Sequence, residues 1–236
     1  LFEHGIQVDP MDAPLYQAYA RMEKEQKRYD KARDFFKRGL KADPTHAYLY
    51  QDYALMEKEL GRIGEARVLF EHGIQVDPMD APLYQAYALM EKELKQYGKA
   101  RDLFDRGLEA DPTSAHLYQA YALMEKDLKQ YDKARDLFDR GLKADPTDAY
   151  LYLAYAEMEA EQKRWRRGLA LLQRGIAATG GQSAPLFQVL GRILAWLYRL
   201  DQAEAAFRQG LAADPAHAPI FQEWAFVKDR KGEGCS

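Results

Sequence analysis

The sequence predicts an all-α protein, a right-handed superhelical α-solenoid of 34-residue helix-turn-helix units. Three observations predict it. Asp-Pro recurs with Pro10, Pro44, Pro78, Pro112 and Pro146, and Gly5, Gly39, Gly73, Gly107, Gly141 and Gly175 keep the same step. Residues 1–20 return unchanged at 69–88. Within each unit the apolar residues fall at helical spacing, so each helix buries its face only by stacking on neighbours.

The chain opens on the end of a second helix, Leu1 to about Val8. Six helix pairs follow, and a single first helix closes from Ala218. The unit Thr113 to Pro146 is the clearest template. Leu117, Tyr118, Tyr121, Ala122, Met124 and Leu128 mark one face of its first helix. Tyr131, Ala134, Leu137, Phe138, Gly141 and Leu142 make the stripe of its second, after a polar turn near Lys129 and Gln130. Asp145-Pro146 ends that helix, because the residue before proline is pushed out of the helical region. Thr147 or Asp148 then caps the next one. Ala134 and Gly141 are small and let helices approach closely. One slip occurs: Gly210 lies 35 residues after Gly175, and the extra residue is placed in Gly180-Gly181-Gln182-Ser183. No linker or second domain is visible. Residues 1–231 are expected to form one repeat domain, and 232–236 a tail.

The 236 residues are 47% hydrophobic and 30% charged, which suits a soluble protein with a sizeable core. A net charge of -3 gives no global pull toward DNA or anionic membranes. No apolar run is long enough to span a bilayer, and no signal peptide is seen. The first residue is Leu1, so the chain reads as an excerpt or a processed product. The single cysteine, Cys235, cannot form an internal disulfide, and an intracellular reducing compartment is expected. The five histidines have no metal spacing, and there is no nucleophile motif or phosphate loop. Neither enzymatic activity nor a cofactor, metal or small-molecule substrate is expected.

These units resemble the tetratricopeptide repeat. The family's large aromatic matches Tyr16, Tyr50, Tyr84, Tyr118 and Tyr152, and its small first-helix residue matches Ala20, Ala54, Ala88, Ala122 and Ala156. Its second-helix Ala and Phe match Ala32 and Phe36, Ala66 and Phe70, Ala100 and Phe104, Ala134 and Phe138. Tyr-Ala-x-Met-Glu and Ala-Arg-x-x-Phe-x-x-Gly further resemble the half-a-tetratricopeptide (HAT) variety, in which a Glu and an Arg recur. That resemblance implies a link to RNA processing. The later units drift: Leu169 stands where an Arg is expected, and Leu194 and Glu204 replace the Glu/Arg pair.

The recurring charges are Glu23 and Arg33, Glu57 and Arg67, Glu91 and Arg101, Glu125 and Arg135. We read them as structural ion pairs joining the two helices of each unit; a ligand-facing ladder is the alternative. The methionines and most tyrosines read as core. Gln17, Gln51, Gln85 and Gln119, each followed seven residues later by Lys24, Lys58, Lys92 and Lys126, lie on one side of the first helix. The resemblance implies that this side lines the concave groove, where the ladder could meet a partner. An ordinary solvated face is the alternative, since Glu25, Glu59, Glu93 and Asp127 follow each Lys. The family's carboxylate clamp is not supported, because its slots hold Gln119, Ala120 and Leu123.

Lys163, Arg164, Arg166 and Arg167 surround Trp165 at a helix start, where positive charge is disfavoured. No local feature compensates, so an anionic partner, RNA or an acidic protein, is the functional reading; a tolerated surface cluster is the alternative. The helix Pro185 to Tyr198 is apolar almost all round, with Ala195 and Trp196 in place of Lys and Glu. The final helix, with Phe221 and Trp224, or a partner must cover it. The expected function is a non-enzymatic scaffold binding a protein or peptide. Single-stranded RNA binding along the groove and end-to-end self-association are the alternatives.

Overall fold

The computed structural model describes residues 12–231. The opening helix expected at Leu1 to Val8 and the tail with Cys235 lie outside them. The described residues form thirteen α-helices and no strand. In order they are α1 Ala13–Glu25, α2 Tyr29–Ala42, α3 Ala47–Glu59, α4 Ile63–Val76, α5 Ala81–Glu93, α6 Tyr97–Ala110, α7 Ala115–Asp127, α8 Tyr131–Ala144, α9 Ala149–Glu161, α10 Trp165–Ala178, α11 Ala184–Trp196, α12 Leu200–Ala213 and α13 Ala218–Arg230. They divide after Pro112 into two compact units, Leu1–Pro112 and Thr113–Ser236.

Local chemistry sets each boundary. The second helices stop at an extended Asp before proline: Asp43, Asp111 and Asp145 are all in the β region. Asp80 and Asp148 then cap the following helices by accepting from Leu83 N at 3.0 Å and Leu151 N at 2.9 Å. Thr147 instead bonds back to Asp145. The turn inside each hairpin has one residue in the left-handed region, at Lys27, Gly61, Lys95, Lys129, Lys163 and Tyr198. The amide after it reaches back to the buried first-helix Glu carbonyl, as Gln130 N does to Glu125 O at 2.8 Å. Gly180 and Gly181 are also left-handed and absorb the extra residue of that unit.

Within each compact unit, a first helix packs on its own second helix and, where another hairpin or helix follows in that unit, on its first helix. The second helix also meets that next first helix, so such hairpins are held by three helix contacts. Between hairpins, Phe36 stacks on Tyr53, Phe70 on Tyr87 and Phe138 on Tyr155, with ring centroids about 5 Å apart. Such pairs contribute about 0.5–1.5 kcal/mol beyond their burial. Met56, Met90, Met124 and Met158 are fully buried, so these four methionines are core.

Candidate functional site

The repeated charges come first, because the structure corrects their register. Arg33 does not pair with Glu23 across its own hairpin. It donates to Glu57 of the next one, from Nε at 2.7 Å and Nη2 at 3.3 Å. Arg67 grips Glu91 at 2.7 and 2.8 Å, and Arg135 donates to Glu159 at 2.7 Å. Arg101 is engaged as well. In three hairpins the two helices are joined by a different cation, two residues before the Arg slot of the second helix and therefore on its opposite side. Lys99 lies 3.6 Å from Glu91, Lys133 3.2 Å from Glu125, and Arg167 3.7 Å from Glu159. Glu57, Glu91, Glu125 and Glu159 are buried. Each thus takes cations from the hairpin turn or second helix of its own unit, and Glu57, Glu91 and Glu159 also take an Arg from the preceding unit. Hydrogen bonding to Glu91 pushes the Arg67 guanidinium up from its ordinary value, against desolvation.

This geometry also resolves two apparent departures. Glu159 keeps its Arg even though Leu169 stands in its own unit, because the partner comes from the unit before. The basic segment is mostly framework, which corrects the expectation that nothing local compensates its charge. Lys163 fills the left-handed turn slot of Lys27, Lys95 and Lys129. Arg164 lies 3.9 Å from Glu159, as Arg62 lies 3.7 Å from Glu57 and Arg28 3.4 Å from Glu23. Arg167 bonds the Tyr155 hydroxyl and faces Asp139, as Lys99 bonds Tyr87. Only Arg166 departs in kind, standing where Asp30 and Asp132 pair with Arg33 and Arg135.

The Gln and Lys ladder is largely spent inside the protein. Lys24 pairs with Glu59 at 2.6 Å, Lys58 with Glu93 at 2.5 Å and Lys126 with Glu161 at 2.7 Å. In each case the acid follows the Lys slot of the next hairpin, which holds Lys58, Lys92 and Ala160 in turn. Lys92 is also engaged. Gln17 donates to Asp52 at 2.5 Å, and Gln119 to the Tyr150 carbonyl at 3.4 Å. Gln51 has a buried amide oxygen with no hydrogen-bond partner, and Gln85 is half-buried. What remains open between these rungs is a half-buried apolar row, Leu55, Leu89 and Leu123.

The last hairpins of the second unit differ. The face of α11 toward the core is covered by α12 and α13 through Ala203, Phe207, Ile220, Val227 and half-buried Trp224. Phe221 does not cover it. It sits in the Tyr16 slot, which elsewhere packs on a second helix, and is 52% exposed. On the first-helix side, Trp196 is 52% and Phe226 49% exposed. Between them lies a groove of about 260 Å³ floored by Phe207 and Ala195. Trp165, half-buried, meets Trp196 edge-on at 6.1 Å. Arg192 lies over the Trp196 ring at 5.8 Å and bonds Glu157, while Glu223 stands 3.7 Å away on its other side. Of these residues, sequence reasoning offered only Trp196 as a partner contact. Arg192 and Phe226 occupy the slot of Leu55, Leu89 and Leu123, and that substitution was the available signal.

Among the described residues, no group of His, Cys, Asp and Glu is placed to hold a metal, and no helix is long and apolar enough to cross a membrane.

Comparisons with known proteins agree with this geometry. A tetratricopeptide repeat model matches residues 13–56. No curated protein matches the sequence. Solved structures share the fold at low identity. A tetratricopeptide repeat protein from Parabacteroides merdae is 18% identical with a TM-score of 0.58, over 96% of this chain and 89% of that one. Yeast Tom70 is 16% identical with a TM-score of 0.71, over 98% of this chain and 50% of its own. YrrB, described as a tetratricopeptide repeat protein with an unusual peptide-binding site, is 16% identical with a TM-score of 0.50, over 79% and 96%. The PRP39 N-terminal HAT repeat model matches residues 55–188, more than half of the sequence and the region where buried Glu and Arg pair from hairpin to hairpin; the chain belongs to that HAT repeat family.

Proposed function

We propose that the chain binds a protein or peptide along the exposed face of its first helices, as a non-enzymatic scaffold within an RNA-processing assembly. Repeats of this kind are protein-interaction scaffolds, typically without catalysis. The observation that carries the protein reading is the internal pairing of the first-helix cations. Lys24, Lys58 and Lys126 face carboxylates of the next hairpin, and Arg21 faces Asp52 at 2.6 Å. A phosphate backbone needs unpaired cations along its track. The open surface instead offers half-buried leucines in both units and, in the last hairpins of the second, Trp196 and Phe226. Aromatic and Arg anchors of this kind carry most of the energy of protein interfaces. The PRP39 match supports the RNA-processing setting, and Cys235 an intracellular reducing one.

Affinity capture with the whole chain, with and without nuclease, tests this. A protein retained after nuclease and competed by a peptide derived from it supports the proposal. Loss of everything on nuclease treatment assigns the surface to RNA, with Lys163 and Arg166 as the exposed cations to replace. Capture of further copies of the chain alone assigns it to self-association.

A further inference from the structure

The Trp196 groove has chemistry that narrows the partner, on the footing of the peptide-binding reading above. Its floor is apolar: Phe207 is fully buried and Ala195 nearly so. Its walls are two aromatic rings, Trp196 and Phe226, each about half exposed. The volume, about 260 Å³, falls below the ~300–1,000 Å³ typical of small-molecule sites. It suits one large apolar side chain delivered by a longer chain. A second, smaller groove of about 140 Å³ lies against Trp196, bordered by Glu157, Glu161 and Arg192. Trp196 is therefore a ridge with a depression against it on each side.

The rim decides the charge. Three carboxylates, Glu157, Glu161 and Glu223, line the two depressions against one guanidinium, Arg192. Lys126 offsets Glu161 from outside the lining. Arg192 is shared between Glu157 and Glu223, which leaves the rim short of one positive charge. The shortage has a local mark. Glu223 accepts from Gln188 at 2.9 Å on one oxygen, while its other oxygen is buried with no hydrogen-bond partner. A buried carboxylate oxygen left without a donor is costly. Arg230, stacked on Phe226 and Tyr198, is not among the lining residues. An exposed indole beside excess carboxylate is also a cation-binding surface in its own right.

We infer that the groove takes a peptide segment carrying a large apolar side chain with a Lys or Arg beside it. The apolar group enters between Trp196 and Phe226, and the cation lies on the Glu157–Glu223 rim against the indole. This is opposite in sign to the anionic partner that the basic segment around Trp165 suggests.

The test uses short fluorescein-labelled Gly/Ser peptides carrying one Phe, with Arg, Gln or Glu two residues after it, titrated against the whole chain by anisotropy. The expected order is Arg above Gln above Glu, with affinity falling about threefold at each step. Trp196→Ala should weaken the Phe–Arg probe about tenfold or more. Phe226→Ala should weaken it too; both side chains are exposed, and unchanged circular dichroism and thermal midpoints confirm the folds. Glu223→Gln should reduce the preference for Arg over Gln while leaving the Phe requirement intact. A preference for Glu overturns the charge assignment, and binding that ignores Trp196→Ala overturns the groove. In either case a protein captured after nuclease still supports the broader peptide-binding proposal. No binding of the Phe–Arg probe at millimolar concentration overturns the inference by itself. A mass that grows with concentration and falls back in Trp196→Ala assigns the groove to a second copy and also overturns it.

Discussion

At the scale of single residues, the buried glutamates Glu57, Glu91 and Glu159 each bind one hairpin to the next. Glu159 shows the arrangement most fully, with Arg135 at 2.7 Å from the unit before and Arg164 and Arg167 from its own. Arg135 and Glu159 are both buried, so removing one strands the other. Arg135→Ala should cost about 3–5 kcal/mol in urea unfolding, while joint replacement by apolar residues of similar size should cost far less. A double-mutant cycle should give Arg135 a larger coupling to Glu159 than to Glu125. Tyr155 supplies a pH-dependent test. Burial, and then the charge of Asp139, pushes its phenol from 10.0 up to about 12. Below pH ~10 the phenol is neutral in both folded and unfolded chains, so its contribution is whole there. It is lost as pH rises from 10 to about 12, where the unfolded chain ionises this phenol more readily than the folded one. The urea midpoint should fall across that window, and Tyr155→Phe should flatten the fall.

At the scale of helices and turns, most of the architecture was legible because each unit repeats its punctuation. Asp-Pro ends the second helices, an Asp or Ser begins several of the first ones, and the small residues mark where helices touch. A Cβ at Gly141 would stand 2.9 Å from the Tyr118 Cβ and 3.1 Å from a Leu151 methyl, so two helices press on that one position. Gly141→Ala should destabilise the chain by about 1–3 kcal/mol in thermal or urea unfolding. The ion-pair register was not legible. Each of the four regular units carries both a Glu and an Arg, so periodic spacing fits pairing within a hairpin and pairing to the next hairpin equally well. The side of the second helix on which Arg135 and Lys133 project decides it, and only three-dimensional packing shows that. The basic segment misled for a related reason: counting charge hides that Arg164 and Arg167 fill slots whose counterpart is a buried glutamate several residues away, and that Lys163 fills a turn slot.

At the scale of the molecule, regularity and function separate. The Glu/Arg pairs, the Lys/Glu rungs and the stacked Phe/Tyr rings build hairpin after hairpin, and the repeated polar residues that resembled a ligand ladder belong to that framework. The departures in the last hairpins of the second unit, Arg192, Trp196, Glu223 and Phe226, leave an exposed aromatic groove with an acidic rim. Comparing each position with its repeats made Trp196 visible in the sequence; its neighbours required the fold, because they come from different helices. The central claim is that the repeated rungs hold the scaffold while these departures contact the partner. Anisotropy titration of the Phe–Arg probe against Trp196→Ala and Lys58→Gln, a rung of the first unit outside the groove lining, tests it most directly. The account predicts about tenfold weaker binding for Trp196→Ala and a change within about twofold for Lys58→Gln; loss of binding in Lys58→Gln with none in Trp196→Ala would contradict it.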